Sequence, residues 1–163
     1  MHQYSHPSTS SGPTCVRMNR LKTRPQFQAV LAGGTMARTA HFALHSTALD
    51  APSDTTAAQA AAPLFPARSV WVGAMVPKRW AKRAVTRNTI KRQIYSVSAQ
   101  FEPLLAPKAH LVRLRSAFDR VQFISATSDV LKEAVRAELV QLFKRATAAS
   151  PVGATATPLT PKV

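Results

Sequence analysis

The sequence predicts an α/β (α+β) two-layer sandwich, in which helices pack over a small central mixed sheet. Three observations carry that expectation. Two runs, HFALHSTAL at 41–49 and SVWVGAMV at 69–76, have the alternation or the β-branched and aromatic content of strands, and HLVRLR at 110–115 follows them as a third. Three longer segments repeat their apolar residues at helical spacing. One of these helices falls between two strands, which is the arrangement that covers a sheet with a helix.

Taken in order, TRPQFQAVLAGG offers Thr23 as N-cap and Pro25 in the opening turn, puts Phe27, Val30 and Leu31 on one face, and stops at Gly33 and Gly34. In 41–49, Phe42 and Leu44 share one side and His41, Ala43 and His45 the other. The 69–76 run reads as a more deeply buried strand, and these two strands are expected to be sheet neighbours. From Ala84 onward Ile90, Ile94 and Val97 mark the buried stripe of a helix reaching about Gln100. After 110–115, a stretch at 121–124 extends that strand or adds a short one. Finally 129–145 carries Leu131, Val135, Leu139 and Leu142 at helical spacing, with acid at its start and Lys144 and Arg145 at its end, as the helix dipole favours.

Between and beyond these elements the composition softens. Residues 1–16 and 146–163 are rich in Ser, Thr and Pro without an apolar period and read as disordered tails. The stretch 48–67 reads as a flexible insert, because flanking prolines and missing large apolar anchors favour an extended surface loop over a short alanine-rich helix. The remainder of 17–145 forms a single domain, all that a chain of 163 residues needs for one modest core.

Charge points to the partner. Lys and Arg number 22 against 7 Asp and Glu, a formal +15 that attracts polyanions, nucleic acid foremost. No run approaches the roughly 18 apolar residues of a spanning helix, and no basic segment leads into an apolar signal core, so a cytoplasmic protein without a membrane partner is expected. Cys15 is the lone cysteine and cannot form an internal disulfide; one thiol and five scattered histidines do not supply a structural zinc set. No cofactor held by protein side chains is expected.

The stretch KRWAKRAVTRNTIKR, residues 78–92, holds seven Lys and Arg and no acid. With Ile90, Ile94 and Val97 turned inward, Arg83, Arg87, Asn88, Lys91 and Arg92 spread over the outer side of the helix, while Lys78, Arg79 and Lys82 extend the patch before its N-terminus. A helix start adds free N–H groups and a positive dipole end. Like charges four apart repel by a few tenths of a kcal/mol each, roughly. A solvated basic face is the plainer reading. Against it, no acid occurs from 55 to 101, so the salt-bridge lacing of such faces is missing and phosphate-backbone binding is favoured. Arginines fork onto phosphate oxygens, and lysine supplies a mobile point charge.

RNTIKR, preceded by AV and a basic turn, resembles the signature of the protein subunit of bacterial ribonuclease P. MNRLKTRPQFQAVLAGG resembles that family's basic N-terminal run and Phe-bearing helix, FAL and VGAMVPKR its strands and turn, and LKEAVRAELVQLFKR its last helix. The likeness covers about 18–145 apart from the insert. It implies a ribosomal-protein-like domain with a left-handed crossover around the signature helix. It also implies two partners, the catalytic RNA subunit and precursor tRNA, with no obligate protein partner and with magnesium expected on the RNA subunit. The RNA-facing residues would be Lys78, Arg79, Lys82, Arg83, Arg87, Asn88, Lys91 and Arg92. A cleft between the first helix and the sheet would take the single-stranded leader, walled by Arg20, Lys22, Phe27, Leu31, Phe42 and Trp71.

Plainer readings stand beside these. Phe27 on an apolar helical face fits the core as well as a stacking platform, and the resemblance favours the platform. Trp80 fits an exposed stacking group, a cation–π partner of Arg79 or Arg83, or a cap over the core. Thr89 and Tyr95 stand where family members commonly carry arginine, Ala81 and Lys82 replace a Gly-Asn turn, and Leu31 replaces an aromatic. His41 and His45 lie on one side of their strand, where backbone or solvent contacts are the first expectation and acid–base work the second. A ribosomal or ribosome-assembly protein without cleavage function is the alternative reading of the whole. A DNA-binding helix fares worse, because one side of 84–97 is committed to a sheet and no helix-turn-helix pair is present.

Overall fold

The computed structural model describes residues 18–49, 64–119 and 128–149. Along them run β1 (Asn19–Arg20), α1 (Arg24–Ala32), β2 (Thr35–Arg38), β3 (Phe42–Thr47), β4 (Trp71–Met75), α2 (Ala84–Phe101), a 3₁₀ turn (Glu102–Leu104), β5 (Ala109–Leu114) and α3 (Asp129–Ala149). The five strands form one mixed sheet in the order β1-β4-β5-β3-β2. Strand β4 runs parallel to both β1 and β5, whereas β3 pairs antiparallel with β5 and with β2.

This order corrects one expectation. Strands β3 and β4 are not neighbours, because β5 lies between them with Leu111, Val112 and Leu114 fully buried. A strand that apolar on both sides is most stable at the centre of a sheet, with partners on either edge. Helix α2 joins the parallel neighbours β4 and β5, as a parallel pair requires.

The sheet separates two apolar clusters. Phe42, Leu44, Val72, Val112 and Leu114 pack with Ile90, Ile94 and Val97 of α2 and with Leu131, Val135, Leu139 and Leu142 of α3. On the opposite face Val30 of α1 packs with Leu21, Phe65, Trp71, Ala109 and Leu111, and Phe27 and Leu31 lie against them half-buried. The large layer of α2 and α3 therefore covers one face, and α1, with Phe65 beside it, covers part of the other.

Local chemistry places α1. Thr23 and Gln26 form a reciprocal capping box, Pro25 sits in the first turn, and Gly33 closes the helix before Gly34 takes φ +101°. A Cβ at Gly33 would come 2.5 Å from the Ser46 carbonyl oxygen, so only glycine lets the helix end approach β3. Gly73 does the same beneath the helix, where a Cβ would meet Leu21 Cδ1 at 2.6 Å and Phe27 Cε1 at 3.0 Å.

Two soft-segment boundaries shift. Helix α3 runs past Arg145 to Ala149 because Ala146, one turn after Leu142, is buried in the main core. Residues 64–67, read as the end of the insert, fold back over α1: Gln26 Nε2 donates to the Leu64 carbonyl at 2.9 Å, and Trp71 Nε1 donates to that of Ala67 at 2.8 Å. The tails 1–16 and 150–163, most of the insert at 50–63, and the 121–124 stretch lie outside the described residues.

Candidate nucleic-acid interface

Helix α2 turns its stripe of Ile90, Ile94 and Val97 into the core, and this rotation leaves Arg83, Asn88, Lys91 and Arg92 exposed. Lys78, Arg79 and Lys82 are exposed in the turn before it. The helix begins at Arg83 in an extended conformation without a side-chain cap, and its first turn holds no acid, so its leading N–H groups face an electropositive approach. Arg87 is the exception on this face. It is half-buried, and its Nη1 donates to the carbonyls of Ala81 at 3.0 Å and Lys82 at 2.8 Å, fastening the basic turn to the helix. Thr89, where the resemblance leads one to expect arginine, is buried on the inner side.

Trp80 combines two of its three readings. It packs against the main core, and the Arg79 guanidinium carbon stands 5.1 Å from its ring centroid. Arg79 also reaches the other side of the sheet. There it joins Arg38, Arg113, Arg115, His45 and Thr35 around an open cavity of about 220 Å³ beyond the part of the sheet that α1 covers, and no acid lines it. Burial first, and then the charge of Arg113, hold the His45 pKa below its ordinary value, partly offset by a hydrogen bond with the Gly34 backbone. The imidazole is therefore neutral near pH 7, and the arginines carry the charge. Arg113 Nε is buried without a hydrogen-bond partner among the described residues.

The sequence reading missed Arg38 and Arg115 and gave Arg113 no role. Arg113 and Arg115 alternate with the buried Val112 and Leu114, so a period-two count of charge as well as apolarity would have put both on one face. Arg38 belongs to β2, a strand without a readable pattern.

The expected cleft walls divide. Phe27 and Leu31 stand half-buried on α1 above the sheet, and Lys22 is exposed at the foot of that helix. Phe42 is fully buried on the other face, against α2 and α3, because its parity along β3 is opposite to that of Ala43 and His45. It is core and lines no cleft. Trp71 is on the α1 face but only 8% exposed, covered edge-on by Phe65 with 5.6 Å between ring centroids. Arg20 also moves. Leu21 enters the α1 cluster, so Arg20 turns the opposite way, to α2, where its guanidinium carbon lies 4.1 Å from the Tyr95 ring centroid. The histidines part company as well: His41 Nδ1 lies 2.8 Å from Glu138 Oε2 and its ring stacks on Phe118, whereas His45 faces the arginines.

Among the described residues no group of three or more His, Cys, Asp or Glu stands together to hold a metal ion, and no helix is long and apolar enough to cross a membrane.

The family model described as Ribonuclease P matches residues 16–147. The ribonuclease P protein component of Ralstonia pickettii (strain 12J) is 34% identical over 142 residues, covering 87% of this chain and 89% of that protein. That of Trichormus variabilis is 40% identical over 101 residues, covering 59% of this chain and 72% of the relative. In fold, the Staphylococcus aureus RNase P protein superposes with a TM-score of 0.57 at 18% identity, over 82% of this chain and 100% of that one. With most of its length matched by the family model and by a relative of nearly equal extent, the chain belongs to the ribonuclease P protein-component family.

Proposed function

We propose that this chain is the RNA-binding protein subunit of ribonuclease P and assists a catalytic RNA in endonucleolytic removal of the 5′ leader from precursor tRNA. One observation carries the reading. The exposed cations of α2 and its turn share Arg79 with the arginine-lined cavity of the sheet, and neither the 55–101 stretch nor the lining of that cavity holds an acid. The α2 side suits the folded RNA partner, because closely set Lys and Arg bind phosphates without reading sequence. The sheet side suits a single strand. Phe27 and Leu31 offer an apolar edge for a base, while the guanidinium groups of Arg38, Arg113 and Arg115 around the cavity take the adjoining phosphates.

In this reading the phosphodiester chemistry belongs to the RNA subunit and the magnesium ions it carries. The protein lowers repulsion between two polyanions and holds the leader, which favours precursor over mature tRNA.

The test is 5′-leader cleavage of precursor tRNA by the cognate catalytic RNA at low magnesium, with and without this chain. The native protein should stimulate cleavage, and the R87A/K91A/R92A variant should lose at least tenfold of that stimulation. R113Q and F27A should weaken binding of precursor by about 1 kcal/mol or more each and leave mature tRNA unaffected, the scale of one base or charged contact. If a folded native chain does not stimulate its RNA, the proposal fails and a ribosomal or assembly role takes its place.

A further inference from the structure

Strand β1 is an edge strand; Asn19 N–H donates to the Val70 carbonyl and Leu21 N–H, just after the strand, to that of Val72, and the Arg20 side chain between them turns to α2. Between β1 and α2 lies an open groove of about 600 Å³, lined by Met18, Arg20, Asn88, Lys91, Arg92 and Tyr95 among others, none of them acidic. An arginine set beside two further cations is ordinarily pinned by a carboxylate. Here the ring of Tyr95 holds it, with the guanidinium 4.1 Å above the centroid, while Arg20 itself remains exposed.

A guanidinium held over a ring on one side leaves its other side free, and unpaired RNA bases stack on guanidinium planes as they do on aromatic rings. Lys91 and Arg92 stand exposed beside it, within the same groove, to meet the phosphates of that nucleotide and its neighbour. The groove opens on the α2 side of the sheet, opposite α1, so a nucleotide seated there is not the strand that lies along the arginine-lined face.

We propose that Arg20 and Tyr95 form a base-stacking site for one unpaired RNA nucleotide, with Lys91 and Arg92 holding its phosphates. Tyr95 is the positioning residue and Arg20 makes the contact. The proposal rests on the chain being an RNA-binding subunit and adds a second single-stranded contact to it.

The experiment uses the full chain and an unstructured RNA hexamer carrying one 2-aminopurine, beside the same hexamer made abasic at that position. The native chain should quench the 2-aminopurine and bind the abasic strand about 5- to 100-fold more weakly, the range for loss of one stacked base. R20K keeps the charge and lacks the plane; Y95L keeps bulk and lacks the ring. Each should lose most of the quenching and of the base-dependent affinity with an unchanged salt dependence, and the double variant should lose no more than either alone. If both variants quench and discriminate as the native chain does, the site is overturned, whatever the cleavage assay shows. If they lose discrimination while the native chain fails to stimulate cleavage, this site stands and the leader-processing reading falls. A native chain that binds neither hexamer overturns both.

Discussion

His110 is an imidazole placed where charge is costly. It lies on central strand β5, 1% exposed, with Nε2 3.1 Å from the Ala106 carbonyl oxygen and Nδ1 buried without a partner among the described residues. Burial is the larger influence and holds its pKa below the ordinary 6.5; the hydrogen bond to Ala106 works against it, and the Lys108 charge works with it. The unfolded chain thus binds this proton more readily than the folded one. The stability this site contributes is complete above pH 6.5 and is lost as pH falls from there toward the lower folded value. Urea unfolding between pH 7.5 and 5 should therefore show declining stability, and H110L should flatten most of that decline. A residual slope of the same sign is expected from His45, which burial and Arg113 also hold low. An H110L curve parallel to that of the native chain would mean that His110 takes up its proton in the core at no cost. The parity of β3 shows how far residues can be read singly: alternation tells that Phe42 and Leu44 share a side, but only the placement of α2 and α3 says which side is core.

Among the elements, α1 was the most legible because its limits are chemical: a Thr23 cap, a proline and two glycines are local signals, to which the structure adds the reciprocal bond with Gln26. The stripes of α2 and α3 were legible for the same reason, although the last turn of α3 rests on Ala146, too small to extend a pattern by eye. Strands β1 and β2 were not. They are two and four residues long, β2 has a register irregularity between Thr35 and Ala37, and both exist because a longer neighbour supplies their hydrogen bonds. The same limit hid the role of 64–67, whose ties to the fold run through the side chains of Gln26, Phe65 and Trp71. Gln26 is 7% exposed, accepts from the N–H groups of Lys22 at 2.8 Å and Thr23 at 3.2 Å, and donates to Leu64 at 2.9 Å. Gln26→Leu leaves three backbone groups without their partner and should cost about 1–3 kcal/mol in urea unfolding. It should also quicken hydrogen exchange in 64–67 and at the start of α1 together. Exchange that quickens in α1 alone would show that Phe65 and Trp71, and not Gln26, hold the segment.

At the scale of the whole molecule, the formal +15 is concentrated by folding, since Arg38, Arg79 and the pair Arg113 and Arg115 come from three separate stretches to one cavity. This grouping was illegible in the sequence, where only the run of α2 stands out; the sheet order that assembles it is non-local. Bringing four guanidinium groups to one cavity without a carboxylate opposes folding, and an anion that binds only the folded state offsets that by mass action. At ten times its Kd, one such anion adds about 1.4 kcal/mol of stability, a rise of a few degrees in Tm for a domain of this size. Thermal unfolding in sulfate should accordingly exceed that in chloride at matched ionic strength. Sulfate also strengthens burial in any protein, so the decisive quantity is the difference between the native chain and R38Q/R113Q. The double variant should be at least as stable as native in dilute chloride, where it is relieved of repulsion, and should lose most of the extra gain in sulfate. If instead native and variant respond equally to sulfate, the four arginines do not act as one anion site, and the cationic surface joined at Arg79 is a field of separate charges.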